Sequence, residues 1–148
     1  MKIEITKEQY RKLIEMLFLG DWLMNSHRTG AKGDEIKTDY KELEQHILSY
    51  AKEFQLGQLV MEEAGEYFTT MKFEENLMPV IEEYDEYTFW EQLSQQLAER
   101  DIRKEIGLIK KLKEEHIERK YQIEETYQEE FEKNGLKNLV LNKQVNKK

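Results

Sequence analysis

The chain contains no cysteine and only one proline in 148 residues. The missing thiols exclude a disulfide scaffold, a thiolate zinc site and a cysteine nucleophile, and they suit a reducing compartment. No uncharged apolar run approaches the roughly 18 residues that a membrane span needs. The opening residues MKIEITKEQY hold no apolar h-region, so no signal peptide is expected and the cytoplasm is the expected location. Phosphate-cradling glycine loops are missing as well: Gly30-Ala31-Lys32-Gly33 is too short and has neither nucleotide-binding spacing. The three histidines, His27, His46 and His116, belong to no Glu-x-x-His or H-E-x-x-H pair, so neither a metal nor another cofactor is expected. No nucleophile elbow surrounds Ser26, Ser49 or Ser94, and no catalytic residue is assigned.

What remains is a chain that is 36% charged and 39% hydrophobic, the balance of long solvated helices. Its length fits one domain with a real core. Sixteen aromatic residues argue for order, because disordered chains are poor in them. The net charge of −8 is unevenly spread. Residues 62–101 hold 12 acidic and 2 basic residues, whereas residues 1–61 are nearly neutral and residues 102–148 slightly basic. The acidic middle repels phosphate backbones and favours a basic partner surface.

Lys2-Ile3-Glu4-Ile5 alternates and predicts a short strand. Thr6 and Gln9 form a capping-box pattern ahead of a helix running from about Lys7 to Arg28. That helix is apolar on several sides: Tyr10, Ile14 and Phe18, but also Met16, Trp22 and Leu23. The middle of a bundle is its expected place. Asp39 and Glu42 repeat the capping pattern before a stripe of Tyr40, Leu43, Ile47, Tyr50, Ala51 and Phe54, which should stop near Gly57. Leu56, Leu59, Val60 and Met61 predict a short helix that Gly65 breaks, and Pro79 marks a turn or helix start.

A last helical stretch should begin near Asp85 or Thr88, with Phe89, Trp90, Leu93 and Leu97 inward, and meet no strong breaker before Asn134-Gly135. About 45 residues is too long for one rod, so Gly107 or Arg100-Asp101 should hold a bend. The stripe continues through Ile102, Ile106, Ile109 and Leu112, then weakens to Ile117, Tyr121, Ile123, Tyr127 and Phe131. The apolar LKNLVL segment, Leu136–Leu141, could pair with the N-terminal strand, and the tail from Lys143 should be disordered. The expected fold is mainly α: a small helical bundle with a long C-terminal helix and room for a two-stranded β element joining the termini. The expected division is a helical core at 1–101, a charged helical extension at 102–135, and an apolar segment with a basic tail at 136–148.

Two clusters stand out chemically. Asp21, Asn25 and Arg28 share one helical face, with His27 beside them. They could form a ligand pocket or active site. The plainer account is a structural network in which Arg28 meets an acid from 82–86. Glu82, Glu83, Tyr84, Asp85, Glu86 and Tyr87 mix carboxylates with tyrosines, as a surface for a basic protein groove would. The plainer account is a helix start with Asp85 as cap, the other acids at the positive end and the aromatics in the core. Lys104, Lys110, Lys111, Lys113, Arg119 and Lys120 are interleaved with Glu105, Glu114, Glu115 and Glu118, which reads as an ion-paired helix. Direct nucleic-acid binding is therefore not expected.

The stretches YRKLIEMLFLGDWLMNSHR, YKELEQHILSYAKEF and EEYDEYTFWEQLSQQLAERD resemble a group of small bacterial and phage-associated proteins. The resemblance covers residues 1–101. It implies no activity, and it makes Asp21, Asn25, His27 and Arg28 more interesting as a unit. The leading expectation is a non-enzymatic acidic interaction protein whose partner has a basic surface, one version being an inhibitor of a nucleic-acid-binding host protein. The rivals are a ligand-binding protein or enzyme built on the Asp21 cluster, and a homo-oligomer held through helix 102–133.

Overall fold

The structure, a computed structural model, describes residues 2–107 and 113–140. Among these residues it is mainly α, with five helices and one two-stranded antiparallel sheet. The chain forms two compact units, Met1–Glu82 and Glu83–Lys148.

In the first unit, helix α1 (Lys7–Asn25) starts where the capping box places it. The Thr6 hydroxyl accepts the Gln9 N–H at 3.2 Å, and Gln9 Oε1 accepts the Thr6 N–H at 2.8 Å. Tyr10 and Ile14 are buried on its inner face. The Tyr10 ring stacks on Phe54 with centroids 4.1 Å apart, and its hydroxyl donates to the Ile47 carbonyl at 2.6 Å. Burial, with Glu53 nearby, pushes this phenol up to about 12. The helix is not wrapped on all sides, however. Met16 is 70% exposed and Leu23 57%, because α1 meets its core on one side only.

Helix α2 (Lys41–Ser49) corrects three expectations. Its N-cap is Tyr40 with no side-chain cap bond, so the Asp39–Glu42 box does not form. The helix also ends before Gly57, and the expected stripe divides: Ile47, Ala51 and Phe54 join the core with Leu48, while Tyr40, Leu43 and Tyr50 are exposed. The helix gives way at Tyr50 to a run of turns, which closes at Gln55, φ 55°. Around it the Leu56 N–H bonds the Ala51 carbonyl at 2.8 Å and the Gln55 N–H bonds Lys52 at 3.0 Å. That is a Schellman closure, and it delivers Leu56 to the core.

The helix expected at 56–61 is instead a 3₁₀ turn, Gly57–Leu59, leading into a hairpin of β1 (Val60–Glu63) and β2 (Glu66–Thr69). The register runs from Val60↔Thr69 to Glu63↔Glu66. The two-residue loop Ala64-Gly65 has φ 51° and 84°, the left-handed pair that a type I′ turn requires. The two-stranded element thus exists, but it does not join the termini. Residues 2–6 form no strand, and Leu136–Leu139 closes a turn with a 3.0 Å bond. Ile3 stays 78% exposed with no strand beside it.

Helix α2 packs on β2. Gln45 binds the Tyr67 backbone twice, donating to its carbonyl and accepting its N–H, both at 2.7 Å. An amide side chain thus stands in for a third strand at this edge. Helix α3 (Met71–Glu75) adds Phe73 to the core, and Leu77 follows it.

Helix α4 (Met78–Ile106) begins well before Asp85, with Pro79 in its first turn where a missing N–H is harmless. It ends at Gly107, φ 76°, which is one of the two bend positions read from the sequence. Arg100 and Asp101 remain helical. In the second unit α4 lies antiparallel to α5 (Glu114–Asn134), which Gly135 closes. Ala98, Ile102 and Ile123 form the core there, with Ile106 and Tyr127 against it. Ile117 and Tyr121 are exposed. Ile109, Leu112, Leu141 and the 143–148 tail lie outside the described residues.

Candidate functional site

Asp21 and Asn25 meet at the end of α1, which stops at Asn25 rather than Arg28; Arg28 lies beyond the helix, and its side chain turns to Met24 and to Asp34 of the following loop. Asn25 donates to Asp21 at 2.7 Å. It also donates to the Lys37 carbonyl at 3.0 Å and accepts the Lys37 N–H at 2.8 Å. Arg28 donates to the Met24 carbonyl at 2.7 Å and faces Asp34 at 3.7 Å, rather than an acid from 82–86. Asp34 accepts the backbone N–H and the hydroxyl of Thr29 at 2.8 and 2.9 Å, and these bonds hold its carboxyl below the usual range. His27 is exposed beside this group. The hydrogen-bonding capacity of the cluster goes largely into pinning residues 29–37 back onto α1.

The Asn25→Ala variant should therefore lose about 1–2 kcal/mol, because both backbone groups of Lys37 lose their partner. Amide exchange should report it: the Lys37 N–H is expected to exchange about tenfold faster, matching 1.4 kcal/mol. Unchanged exchange would mean that the loop is held some other way.

An open groove of roughly 470 Å³ lies beside this cluster, lined by Met16, Met24, Ile36 and Leu43 with Asp21 and Glu44. Burial, with Asp21 nearby, raises the Glu44 carboxyl. Among the described residues no group of three or more His, Asp or Glu side chains is placed to hold a metal ion. No described helix is long and apolar enough to cross a membrane.

Glu82, Glu83, Tyr84, Asp85, Glu86 and Tyr87 are all exposed and all lie inside α4. Asp85 is therefore no cap. Tyr84 is 53% and Tyr87 66% exposed, so neither belongs to the core. Among the described residues none of these four carboxylates has an ion-pair partner, unlike most acids further along the helix.

Those later acids tie α4 to α5. Asp101 accepts from Arg100 at 2.8 and 2.9 Å, from Lys104 at 2.9 Å and from the Tyr127 hydroxyl. These bonds, Arg100 first, hold its carboxyl far below the usual range. Glu105 meets Arg119 at 2.9 Å and Glu99 meets Lys120 at 3.2 Å. The basic residues of this stretch that the structure describes are thus largely neutralised, as their interleaving suggests.

A second groove, of about 570 Å³, lies between α4 and α5 in the second unit. Tyr87, Trp90 and Phe131 line it, with Glu86, Glu91 and Glu132. Trp90 and Phe131 meet at 5.4 Å, their planes 36° apart. Ser94 lies in the same lining, wholly buried, and its hydroxyl finds no hydrogen-bond partner. Sequence reasoning placed Trp90 on an inner face but did not find this groove, since half of it comes from α5. No protein-family model, curated protein or solved structure matches the chain.

Proposed function

We propose that this protein is a non-enzymatic interaction module that docks a basic partner protein on the acidic-aromatic segment of α4, whose consecutive residues are exposed all round the helix. The observation that carries this reading is the exposure of Glu83–Tyr87 inside a well-formed helix, with its carboxylates unpaired among the described residues. A solvated helix face needs no tyrosines, whereas Tyr is a frequent interface anchor and unpaired acids speed encounter with a basic surface. The absence of cysteine suits the reducing cytoplasm as the setting. One form of this function is occupation of a basic cleft on a nucleic-acid-binding protein, where spaced carboxylates take the place of phosphates.

The test combines Glu83→Lys, Asp85→Lys and Glu86→Lys, all surface positions, in one variant. It should keep its fold by circular dichroism and lose the partners that the parent captures from its host. Salt should weaken the parent's capture, since charges separated by more than about 8 Å are screened at physiological ionic strength. Partners captured equally by both proteins would sink the reading.

A further inference from the structure

We propose that the α4/α5 groove of the second unit receives an arginine side chain from the basic partner. This rests on the docking function above and names the group that the partner inserts. Two independent features point to it. The first is the lining: three aromatic rings and three carboxylates, with no cation among the lining residues. The second is Ser94, whose fully buried hydroxyl has no hydrogen-bond partner. Such a group is rare in a folded protein and calls for a donor or acceptor brought from outside.

Other occupants fit less well. An anion meets the repulsion of Glu86, Glu91 and Glu132. An apolar side chain would desolvate the same carboxylates and return nothing to them. A lysine ammonium is a compact and strongly hydrated point charge, which gives up water reluctantly and has no flat face. A guanidinium is planar and weakly hydrated. It stacks on aromatic faces and carries five N–H donors. Trp90 and Phe131 offer the faces, the carboxylates accept the outer donors, and the Ser94 hydroxyl gains a partner once the rings part to admit the plane. Glu86 and Tyr87 belong to both the groove lining and the exposed acidic-aromatic segment, so one bound segment can use both.

The experiment is a solution NMR titration of the full chain with three capped pentapeptides. Each carries glycines around a central arginine, lysine or citrulline, the last being the neutral isostere of arginine. Trp90 reports through its indole N–H, and Trp22, in the first unit, is the internal reference. The arginine peptide should shift the Trp90 signal saturably and leave Trp22 in place. The citrulline peptide should bind about tenfold more weakly, and the lysine peptide several-fold more weakly. A Glu91→Gln, Glu132→Gln double variant should retain its melting temperature and lose about tenfold in arginine-peptide affinity. Ser94→Ala should bind more weakly and melt higher, since it removes a hydroxyl that lacks a partner. Equal binding of the lysine or citrulline peptide, joint movement of both tryptophan signals, or no saturable shift overturns the proposal. If these peptides fail while the lysine-substituted α4 variant still loses its partners, docking stands and only the arginine groove falls.

Discussion

Replacing Tyr10 by alanine should lower the unfolding free energy by about 4 kcal/mol, within the usual range for a large buried aromatic. Tyr10 is 1% exposed, and its ring stacks on Phe54 in the turn that follows α2. The loss has two parts that other variants separate. Tyr10→Phe keeps the stack and leaves the Ile47 carbonyl without its donor, for about 1–2 kcal/mol. Phe54→Ala, combined with Tyr10→Ala in a double-mutant cycle, should show coupling of about 1 kcal/mol beyond simple burial. Trp22 fluorescence in a Trp90→Phe background reads the first unit alone. A Tyr10→Ala cost below about 1 kcal/mol would mean that the site collapses around the missing ring, contrary to the close packing expected of a core.

Replacing Ile102 by alanine should cost about 3 kcal/mol in the second unit. Ile102 is fully buried beside Ala98 and Ile123. Ala98 is already small, so little nearby can fill the space that the three lost carbons leave. Trp90 is the natural reporter, in a Trp22→Phe background, because it touches Phe131 across the seam. Ile102→Val, which deletes one methylene, should cost about 1 kcal/mol. The surrounding ion pairs cannot rescue the alanine variant. Arg119–Glu105 is about half exposed on each side, and such pairs are worth at most about 1 kcal/mol. An unchanged Trp90 transition would show that α4 and α5 are held together by something other than this core.

The features legible in the sequence were those written within a few residues. Thr6 and Gln9 cap α1 by bonds that span three positions. Gly107 and Gly135 end helices because their own backbones turn left-handed. Glu83 to Tyr87 stand out by composition, and the structure leaves all five exposed. Illegible features depend on distant partners or unusual conformers. Gln55 and Ala64 adopt left-handed backbones that their side chains do not advertise, so neither the closure of the turns after α2 nor the hairpin is legible in the sequence. The Asp39–Glu42 pattern was present, but the chain bonds Lys41 N–H to the Thr38 carbonyl at 3.0 Å and starts the helix after Tyr40. Asn25 and Gln45 clamp backbones 12 and 22 positions away. The α4/α5 groove required Phe131 and Glu132 to arrive from another helix.

The charge sequence of α4 also sets a ruler for whatever binds it. From Met78 to Ala98 the helix carries five acidic residues and no basic one, and from Glu99 to Ile106 three of each. A cationic strand laid along the helix is attracted over the first stretch and meets a balanced, ion-paired surface over the second. Glu83 to Glu91 spans about 12 Å at 1.5 Å per residue, the reach of about four extended residues at 3.3 Å each. A short basic tract therefore gains nearly all of the available attraction. A longer one gains no further net attraction from Glu99 onward, so the electrostatic footprint has an upper length.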